Sequence, residues 1–358
     1  MKRVLFVDDE QAVLDGLANL LRKQRKVWEM EFACGPFVAL ELLEQREFDV
    51  VVSDMRMPRM DGATLLRHVK EKQPAAVRVV LSGHSERDMV MRALAVAHQF
   101  VSKPCEADTL KSIIERTCAL QATLTDPNIR ELAGSIDRLP PVPGLYLELS
   151  AAIDRESTSA KDIAAIAERD PAMCAKVLQL ANSAFFGRAR HLTSTAQAVS
   201  FLGVEVLRGL ALSAGIFASA IELSDIGGFS LEDAQVHALQ TALLARELAP
   251  RELREEAFTA GLVHDIGKVV LAMGAPSRLE AALTRARQGN TFLHEAEMEL
   301  FGTTHAEVGA YLLGMWGLPC SIVEAVAFHH RKSDLPELAL IAQQADAKAH
   351  ELYDVRAA

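Results

Sequence analysis

Charged and hydroxyl side chains stand at the ends of short apolar runs in the first third of the chain. Asp8 and Asp9 follow one run, and Asp54 follows another. Ser82 and Lys103 end two later runs. Carboxylate oxygens are the ligands that Mg²⁺ prefers, and a lysine beside them neutralises a phosphoryl group. A carboxylate in such a place can be the nucleophile in phosphoryl transfer, so these residues predict a phosphoryl-accepting magnesium site, provided that the fold brings them together.

The runs that carry these residues have the pattern of buried strands. Each run is short, and each is followed by an amphipathic stretch with helical spacing. The predicted strands are 4–7, 27–33, 50–53, 78–82 and 99–102. Continuous apolar runs are typical of parallel strands that are covered on both faces. We therefore expect an α/β domain with a doubly wound, five-stranded parallel sheet, whose ligands gather at the carboxyl ends of the strands.

Residues 1–121 resemble the receiver domain of two-component response regulators, which has a flavodoxin-like fold. The resemblance rests on the acidic pair, on the lysine and on the stretch VSDMRMP that contains Asp54. It implies that Asp54 is the phosphoacceptor. It also implies that Asp8, Asp9, Asp54 and the main chain of Arg56 bind Mg²⁺. A sensor histidine kinase of a bacterial phosphorelay is the partner that this resemblance implies.

The same resemblance assigns the residues that respond to phosphorylation. Lys103 would contact the phosphoryl group, and Ser82 and Phe100 would be the switch residues. Drawing the Ser82 hydroxyl towards the phosphoryl group would free space that the Phe100 ring can enter. That movement would repack the face formed by two predicted helices, 86–96 and 106–121.

The remainder of the chain has a different pattern. Residues 122–138 contain turn-forming residues and are expected to be a linker, and no convincing strand follows them. Capping residues predict helix starts at Ser159, Asp170 and Ser321. Residues 139–350 are therefore expected to form an all-α domain.

A second set of metal-binding residue types lies in this helical part. His264 and Asp265 are adjacent within an apolar stretch, where a carboxylate is costly unless it is paired or bound to a cation. Further candidates are His237, His305, His329, His330 and Asp346. Imidazole and carboxylate groups suit iron, manganese and zinc. The set could form two metal positions, with Asp265 as a bridge.

These residues resemble the ligands of the HD superfamily of metal-dependent phosphohydrolases. The resemblance implies one metal position made by His237, His264, Asp265 and Asp346. It implies a second position made by His305, His329 and His330. Lys268 would contact a phosphate, and a metal-activated hydroxide would attack a phosphodiester.

Residues 139–350 resemble the HDOD domain more closely, a mostly non-hydrolytic relative of the HD fold that serves in signalling. The stretches LPPVP, DPA and ANS carry this resemblance. After His329 and His330 the chain continues RKSDLP, without the Gly-Tyr-Pro loop of cyclic-dinucleotide phosphodiesterases. We therefore expect a protein-interaction output domain that is not primarily an enzyme. The alternative is a phosphorylation-gated metal-dependent phosphodiesterase or phosphohydrolase.

The charge distribution bears on the partners. The net charge is −10, and residues 1–124 carry 18 basic and 18 acidic side chains, which leaves 20 basic and 30 acidic side chains for the rest. An acidic surface repels phosphate backbones, so we expect no nucleic-acid partner. The uncharged stretches 209–221 and 308–323 are both too short for a membrane span, and a cytoplasmic location without membrane contact is expected. The sequence does not identify the downstream signalling protein, and it is compatible with a homodimer.

Overall fold

A computed structural model shows an α/β part followed by a helical part. It describes residues 1–82, 96–103, 108–115, 126–136, 158–182, 192–204 and 226–357, with isolated residues between these ranges. Both expected fold classes are confirmed within these ranges.

The α/β part is one parallel sheet of five strands. The strands are β1 (Lys2–Asp8), β2 (Trp28–Cys34), β3 (Val50–Asp54), β4 (Val77–Ser82) and β5 (Gln99–Ser102). Their order is β2-β1-β3-β4-β5. Helices α1 (Gln11–Leu20), α2 (Pro36–Gln45) and α3 (Gly62–Lys72) connect the first four strands. All five strands lie where the sequence predicts them, and β3 and β4 are rich in valine, a β-branched residue that favours strands.

The strand register places the candidate acceptor residues side by side. Val7 of β1 pairs with Ser53 of β3, so the next residues of the two strands, Asp8 and Asp54, are neighbours. On the other side of β3, Asp54 pairs with Leu81 of β4, directly before Ser82. The carboxyl ends of the central strands therefore meet at one edge of the sheet.

The segment expected to be a linker contains a helix, α4 (Pro127–Ser135). Asp126 caps it by accepting a hydrogen bond from the amide of Asn128 (2.9 Å), and Pro127 occupies the first turn. Both residue types favour a helix start, which explains why residues 127–135 are helical. Two helices were expected to respond to phosphorylation. The first, 86–96, lies almost entirely outside the described residues. Of the second, 106–121, the structure describes only residues 108–115, which are helical.

The second part is helical in all the ranges that the structure describes. Its helices are α5 (Ala160–Ala167), α6 (Pro171–Asn182), α7 (Thr195–Leu202), α8 (Leu231–Leu248), α9 (Arg254–Val263), α10 (Ile266–Gly274), α11 (Pro276–Gly289), α12 (Leu293–Phe301), α13 (His305–Met315), α14 (Cys320–Phe328) and α15 (Glu337–Ala357). By length and composition Arg251–Gly274 could cross a membrane, but 83% of its apolar window is buried in the fold, as in the core helix of a folded domain.

The predicted helix starts are confirmed in two cases of three. Ser159 and Asp162 form a reciprocal capping box at α5, and Asp170 accepts a hydrogen bond from the amide of Met173 at α6. The prediction for Ser321 is wrong, since α14 begins one residue earlier, after Pro319. The Ser321 hydroxyl instead contacts the carboxylate of Glu256.

Arg78 and His98 join the sheet to α4 through a fully buried polar contact. The Arg78 guanidinium donates to the carbonyls of Val96 (2.6 Å) and Gly134 (2.8 Å). The Arg78 amide donates to Nδ1 of His98 (3.2 Å), and Nε2 of His98 lies 2.8 Å from the Arg78 guanidinium and 3.2 Å from the same Gly134 carbonyl. Gly134 is required here, because a Cβ would lie 2.1 Å from the carbonyl oxygen of Pro74. Gln179 of α6 donates to the carbonyl of His98 (3.3 Å), so the α/β part is in direct contact with the helical part as well as with α4.

Candidate functional site

The acceptor site lies at the carboxyl edge of the sheet and is organised by Lys103. The Lys103 ammonium donates to Oδ2 of Asp8 (2.8 Å) and forms an ion pair with Oδ1 of Asp54. The other Asp54 oxygen accepts a hydrogen bond from the amide of Arg56 (2.7 Å). Asp8 and Asp54 are buried, and Asp9, the next residue after β1, is half-buried. The structure thus brings together Asp8, Asp54 and Lys103, which the sequence predicts as residues of a phosphoryl-accepting site.

The electrostatics of this site favour a bound cation. Burial raises the pKa of the Asp54 carboxyl, and the hydrogen bond from Lys103 opposes that rise. Burial also disfavours the charged form of Lys103, but its hydrogen bonds to Asp54 and Asp8 outweigh that effect and raise the pKa of the ammonium. One lysine therefore compensates two buried carboxylates, which leaves a net negative site that suits Mg²⁺.

The two switch candidates are buried near this edge. The Ser82 hydroxyl has no hydrogen-bond partner within the part of the chain that the structure describes, although it is fully buried. A buried hydroxyl without a partner is uncommon and costly, so a phosphoryl oxygen at Asp54 would offer it an acceptor. Phe100, in the neighbouring strand β5, is 3% exposed and packs in the core. Their roles as switch residues remain predictions.

The histidine and aspartate candidates of the helical part also come together, in one buried cluster. His264 and Asp265 lie at the junction of α9 and α10. His237 comes from α8, His305 from α13, His329 and His330 from the end of α14, and Asp346 from α15. Gly267 allows α10 to approach α13, since a Cβ there would lie 1.9 Å from the carbonyl oxygen of His305. This close packing places Asp265 beside His305.

Asp265 connects the two halves of the cluster. Its Oδ2 lies 3.3 Å from Nε2 of His264 and 3.8 Å from Nε2 of His237. Its Oδ1 lies 3.1 Å from Nε2 of His305 and 3.8 Å from Nε2 of His329. One carboxylate therefore faces a different pair of imidazoles with each oxygen, as a ligand that bridges two metal ions would.

Hydrogen bonds on the far side of each ring fix the orientation of three histidines. Nδ1 of His264 donates to the carbonyl of Gly261, and Nδ1 of His329 donates to that of Val326, both at 2.7 Å. Nδ1 of His305 donates to Glu297 (2.6 Å). Each Nε2 is thereby directed into the cluster, which is the arrangement that metal-binding histidines commonly have.

The cluster fits divalent metal ions by its donor set and by its incompletely satisfied atoms. Three buried atoms make ion-pair contacts but no well-formed hydrogen bond within the described residues: Nε2 of His264, Nε2 of His329 and Oδ1 of Asp265. Since buried polar atoms are normally hydrogen-bonded, and since imidazole and carboxylate suit iron, manganese and zinc, metal ions would satisfy all three.

The charges within the cluster are strongly coupled. Burial alone would lower the pKa of His264, but the negative charges of Asp265 and Asp346 outweigh it and raise this pKa to about 10. Burial, reinforced by the charge of His264, lowers the pKa of His329 to about 3, so that ring is neutral. Lys268 forms a 2.5 Å ion pair with Oδ2 of Asp265. Its predicted contact with a phosphate remains a prediction.

Three residues of the site were missed by sequence reasoning. Glu297 is buried in α12 and accepts hydrogen bonds from both the amide (2.9 Å) and Nδ1 of His305. His294, also in α12, stacks on His330 with ring centroids 4.1 Å apart. His350 lies one helical turn after Asp346, with its Nε2 3.4 Å from Oδ1 of that residue. Only the spacing of Asp346 and His350 on one helix face could have signalled any of them.

Comparison with known proteins decides the family. Residues 139–332, more than half of the chain, match the HDOD domain, and residues 4–115 match the response regulator receiver domain. The chain belongs to the HDOD domain family. Its HDOD domain follows a receiver domain, as the sequence motifs predicted, and this combination supports a response regulator. Receiver domains imply a phosphodonor such as a histidine kinase, and neither matched family is a nucleic-acid-binding domain.

Individual relatives cover parts of the chain. An uncharacterized protein of Treponema pallidum is 28% identical over 228 residues, which is 63% of this chain and 44% of that protein. A protein-glutamate methylesterase/protein-glutamine glutaminase of Rhodopseudomonas palustris is 35% identical over 124 residues, 34% of either chain. The matches thus span less than half of the length of either relative.

Solved structures resemble part of this chain. The MmoQ response regulator of Methylococcus capsulatus matches 60% of this chain and 85% of its own with a TM-score of 0.51 and 25% identity. A virulence factor of Campylobacter jejuni matches 64% of this chain and 84% of its own with a TM-score of 0.53, and at 21% identity this likeness shows the fold alone. The similarity to MmoQ is consistent with this chain being a response regulator.

Proposed function

We propose that this protein is a response regulator that is phosphorylated on Asp54 and signals through its HDOD domain as a protein-interaction module. The observation that carries the proposal is the position of Lys103, which contacts Asp8 and Asp54 at once. Mg²⁺ held by the carboxylates and the Arg56 carbonyl would neutralise the incoming phosphoryl group, while Lys103 contacts its oxygens. A histidine kinase would be the phosphoryl donor.

Two features support an interaction module as the output. Arg78 contacts α4, and Gln179 of α6 contacts the carbonyl of His98, so a change in the receiver has a direct route to the output surface. The loop after His330 lacks the Gly-Tyr-Pro sequence that marks cyclic-dinucleotide phosphodiesterases. Receiver residues 1–121 would thus regulate which surface of residues 139–350 is accessible to a downstream protein.

The second candidate is a metal-dependent phosphodiesterase or phosphohydrolase. The bridging position of Asp265 between two sets of imidazoles favours it, because paired ions can hold and activate a hydroxide for attack on phosphorus. His237, His264, Asp265 and Asp346 would hold one ion, and Lys268 would contact the phosphate. Hydrolysis of a generic phosphodiester by metal-loaded protein, lost in Asp265→Asn, would favour this candidate over the interaction module.

Phosphoryl transfer to the purified full-length protein tests the first proposal. Acetyl phosphate with Mg²⁺ is expected to add one phosphoryl group, observed as a mass increase of the intact protein. Asp54→Asn should abolish the increase, and Asp15→Asn, an exposed carboxylate on α1, should leave it unchanged. Labelling that persists in Asp54→Asn would contradict the assignment of the acceptor.

A further inference from the structure

An apolar pocket lies between the chain segment that follows α4 and the helices of the HDOD domain. Leu139 and Pro140 of that segment form one wall, and α6, α8 and the junction of α9 and α10 form the others. Of the candidate metal ligands, Asp265 alone lines it among the described residues. We propose that this pocket is a docking site that holds one apolar side chain from a basic segment of the downstream protein. The inference rests on the proposed function as an interaction module and locates its contact surface.

The lining and the size of the pocket suit a single aliphatic or aromatic side chain. Leu262, Ile266 and Val269 contribute buried apolar surface, while Leu231 and Ala234 of α8 are half-buried and border the opening. The space between the lining atoms is about 420 Å³, counting the opening, which is near the lower end of the range for small-molecule sites. A side chain inserted there removes apolar area from water on both proteins, as the central residues of tight interfaces do.

The charges beside the pocket favour a basic partner. Glu232 and Asp233 are exposed in the same first turn of α8 that borders the opening. Among the described residues no lysine or arginine lines the pocket. The guanidinium of nearby Arg169, whose carbonyl accepts a hydrogen bond from Gln235, is neutralised by the carboxylate of Glu148 (2.8 and 2.9 Å). Lysine or arginine residues next to the inserted side chain would therefore be attracted to this surface and would exclude acidic partners.

Two walls of the pocket adjoin α4, the helix that contacts the receiver. The wall segment begins at Leu139, shortly after α4 ends at Ser135. On its other side α4 packs closely on α10, since a Cβ on Gly274 would lie 1.7 Å from Cδ1 of Leu132. The first turn of α10 lines the pocket. A displacement of α4 would therefore move both walls, which gives the receiver a structural route to the docking site.

Selection of peptides against the full-length protein tests this proposal. The probe is a phage-displayed library of random linear peptides, used with and without beryllofluoride and Mg²⁺. We expect a consensus of one leucine, isoleucine, phenylalanine or tryptophan flanked by lysine or arginine. The selected peptide, synthesised with a fluorescent label, should bind Ala234→Met, which fills the pocket, roughly tenfold or more weakly than the wild type. Ala281→Met, on the exposed face of α11, is the matched control and should bind like the wild type.

A second set of variants removes charge without filling the pocket. Glu232→Gln combined with Asp233→Asn should weaken the same peptide, whereas Glu337→Gln, an exposed carboxylate on α15, should not. An acidic consensus, the absence of any selected peptide, or a peptide whose affinity is unchanged by both sets of variants would overturn the proposal. Binding of indole that is lost in Ala234→Met, without any selected peptide, would identify a small-molecule site instead. None of these results affects the proposed phosphorylation of Asp54, which is measured separately by mass.

Discussion

Arg78 of β4 donates a 2.8 Å hydrogen bond to the carbonyl of Gly134 in α4 and thereby joins the receiver to the helix that leads to the output domain. Arg78 lies on the strand that ends at Ser82, and His98 directly precedes the strand that contains Phe100. The contacts with α4 thus come from β4 and from the residue directly before β5, and these two strands carry the predicted switch residues. A shift of β4 or β5 on phosphorylation would be transmitted directly to α4.

Replacing Arg78 should weaken this contact. Arg78→Lys removes the planar group that serves several carbonyls at once, and it leaves buried acceptors unpaired at a cost of about 1–3 kcal/mol each. We expect a lower free energy of unfolding by at least about 2 kcal/mol, measured with urea. Arg67→Lys, on the exposed face of α3, is the matched control and should change it by less than about 0.5 kcal/mol. Equal stability of the two variants would contradict the role of Arg78.

The same contact should depend on pH through His98. Burial, reinforced by the charges of Arg78, Lys70 and Lys176, lowers the pKa of His98 well below its usual value. The His98 ring therefore binds a proton more readily in the unfolded chain than in the folded protein. The contribution of neutral His98 to folding stability is complete above about pH 6.5 and is lost as the pH falls towards 5. We expect the free energy of unfolding to drop more steeply in the wild type than in His98→Gln over this interval. Parallel pH profiles would show that His98 does not carry the effect.

Glu297 should act on metal affinity through His305. Its carboxylate fixes the ring by accepting a hydrogen bond from Nδ1, and loss of such a partner typically costs tenfold to a hundredfold in metal affinity. We expect this loss in Glu297→Gln, measured by competition for Zn²⁺ with a chromophoric chelator. Glu299→Gln, an exposed residue of the same helix, should retain the affinity of the wild type. A Glu297→Gln variant with unchanged affinity would show that the His305 ring needs no such support.

Metal binding should release a proton from His264. Without metal, Asp265 and Asp346 raise the pKa of His264 to about 10, so the ring is charged at neutral pH and an ion must displace its proton. The affinity for Mn²⁺ is therefore expected to rise by roughly tenfold for each pH unit between 6.5 and 8.5 if one proton is released. An affinity that stays constant over this range would contradict His264 as a ligand.

The acceptor site was predictable because its residues stand at fixed points of a simple pattern. Short apolar runs identify the buried strands, and polar residues at their carboxyl ends must meet at one edge of a parallel sheet. The proximity of Asp8, Asp54 and Lys103 could therefore be predicted from the sequence. The HD-type candidate ligands could be predicted because His264 and Asp265 are adjacent in an apolar stretch, where such a pair is costly.

The contact between the two parts was not predictable from local patterns. Arg78 is the one charged residue of a fully buried strand, and its acceptor Gly134 is 56 residues away in the chain. Glu297 and His294 lie on α12, whose polar residues resemble those of any exposed helix. Their contacts depend on how α12 packs against α13 and on the position of the chain after α14, which no spacing in the sequence specifies.

The central claim is that phosphorylation of Asp54 alters the contact between the receiver and the HDOD domain. Hydrogen exchange of the full-length protein, with and without beryllofluoride and Mg²⁺, measures it most directly. We expect altered protection of the amides in α4 and of residues 96–100, and no change in Asp54→Asn. Exchange that changes only around Asp54, with α4 and the HDOD domain unaffected, would contradict the account.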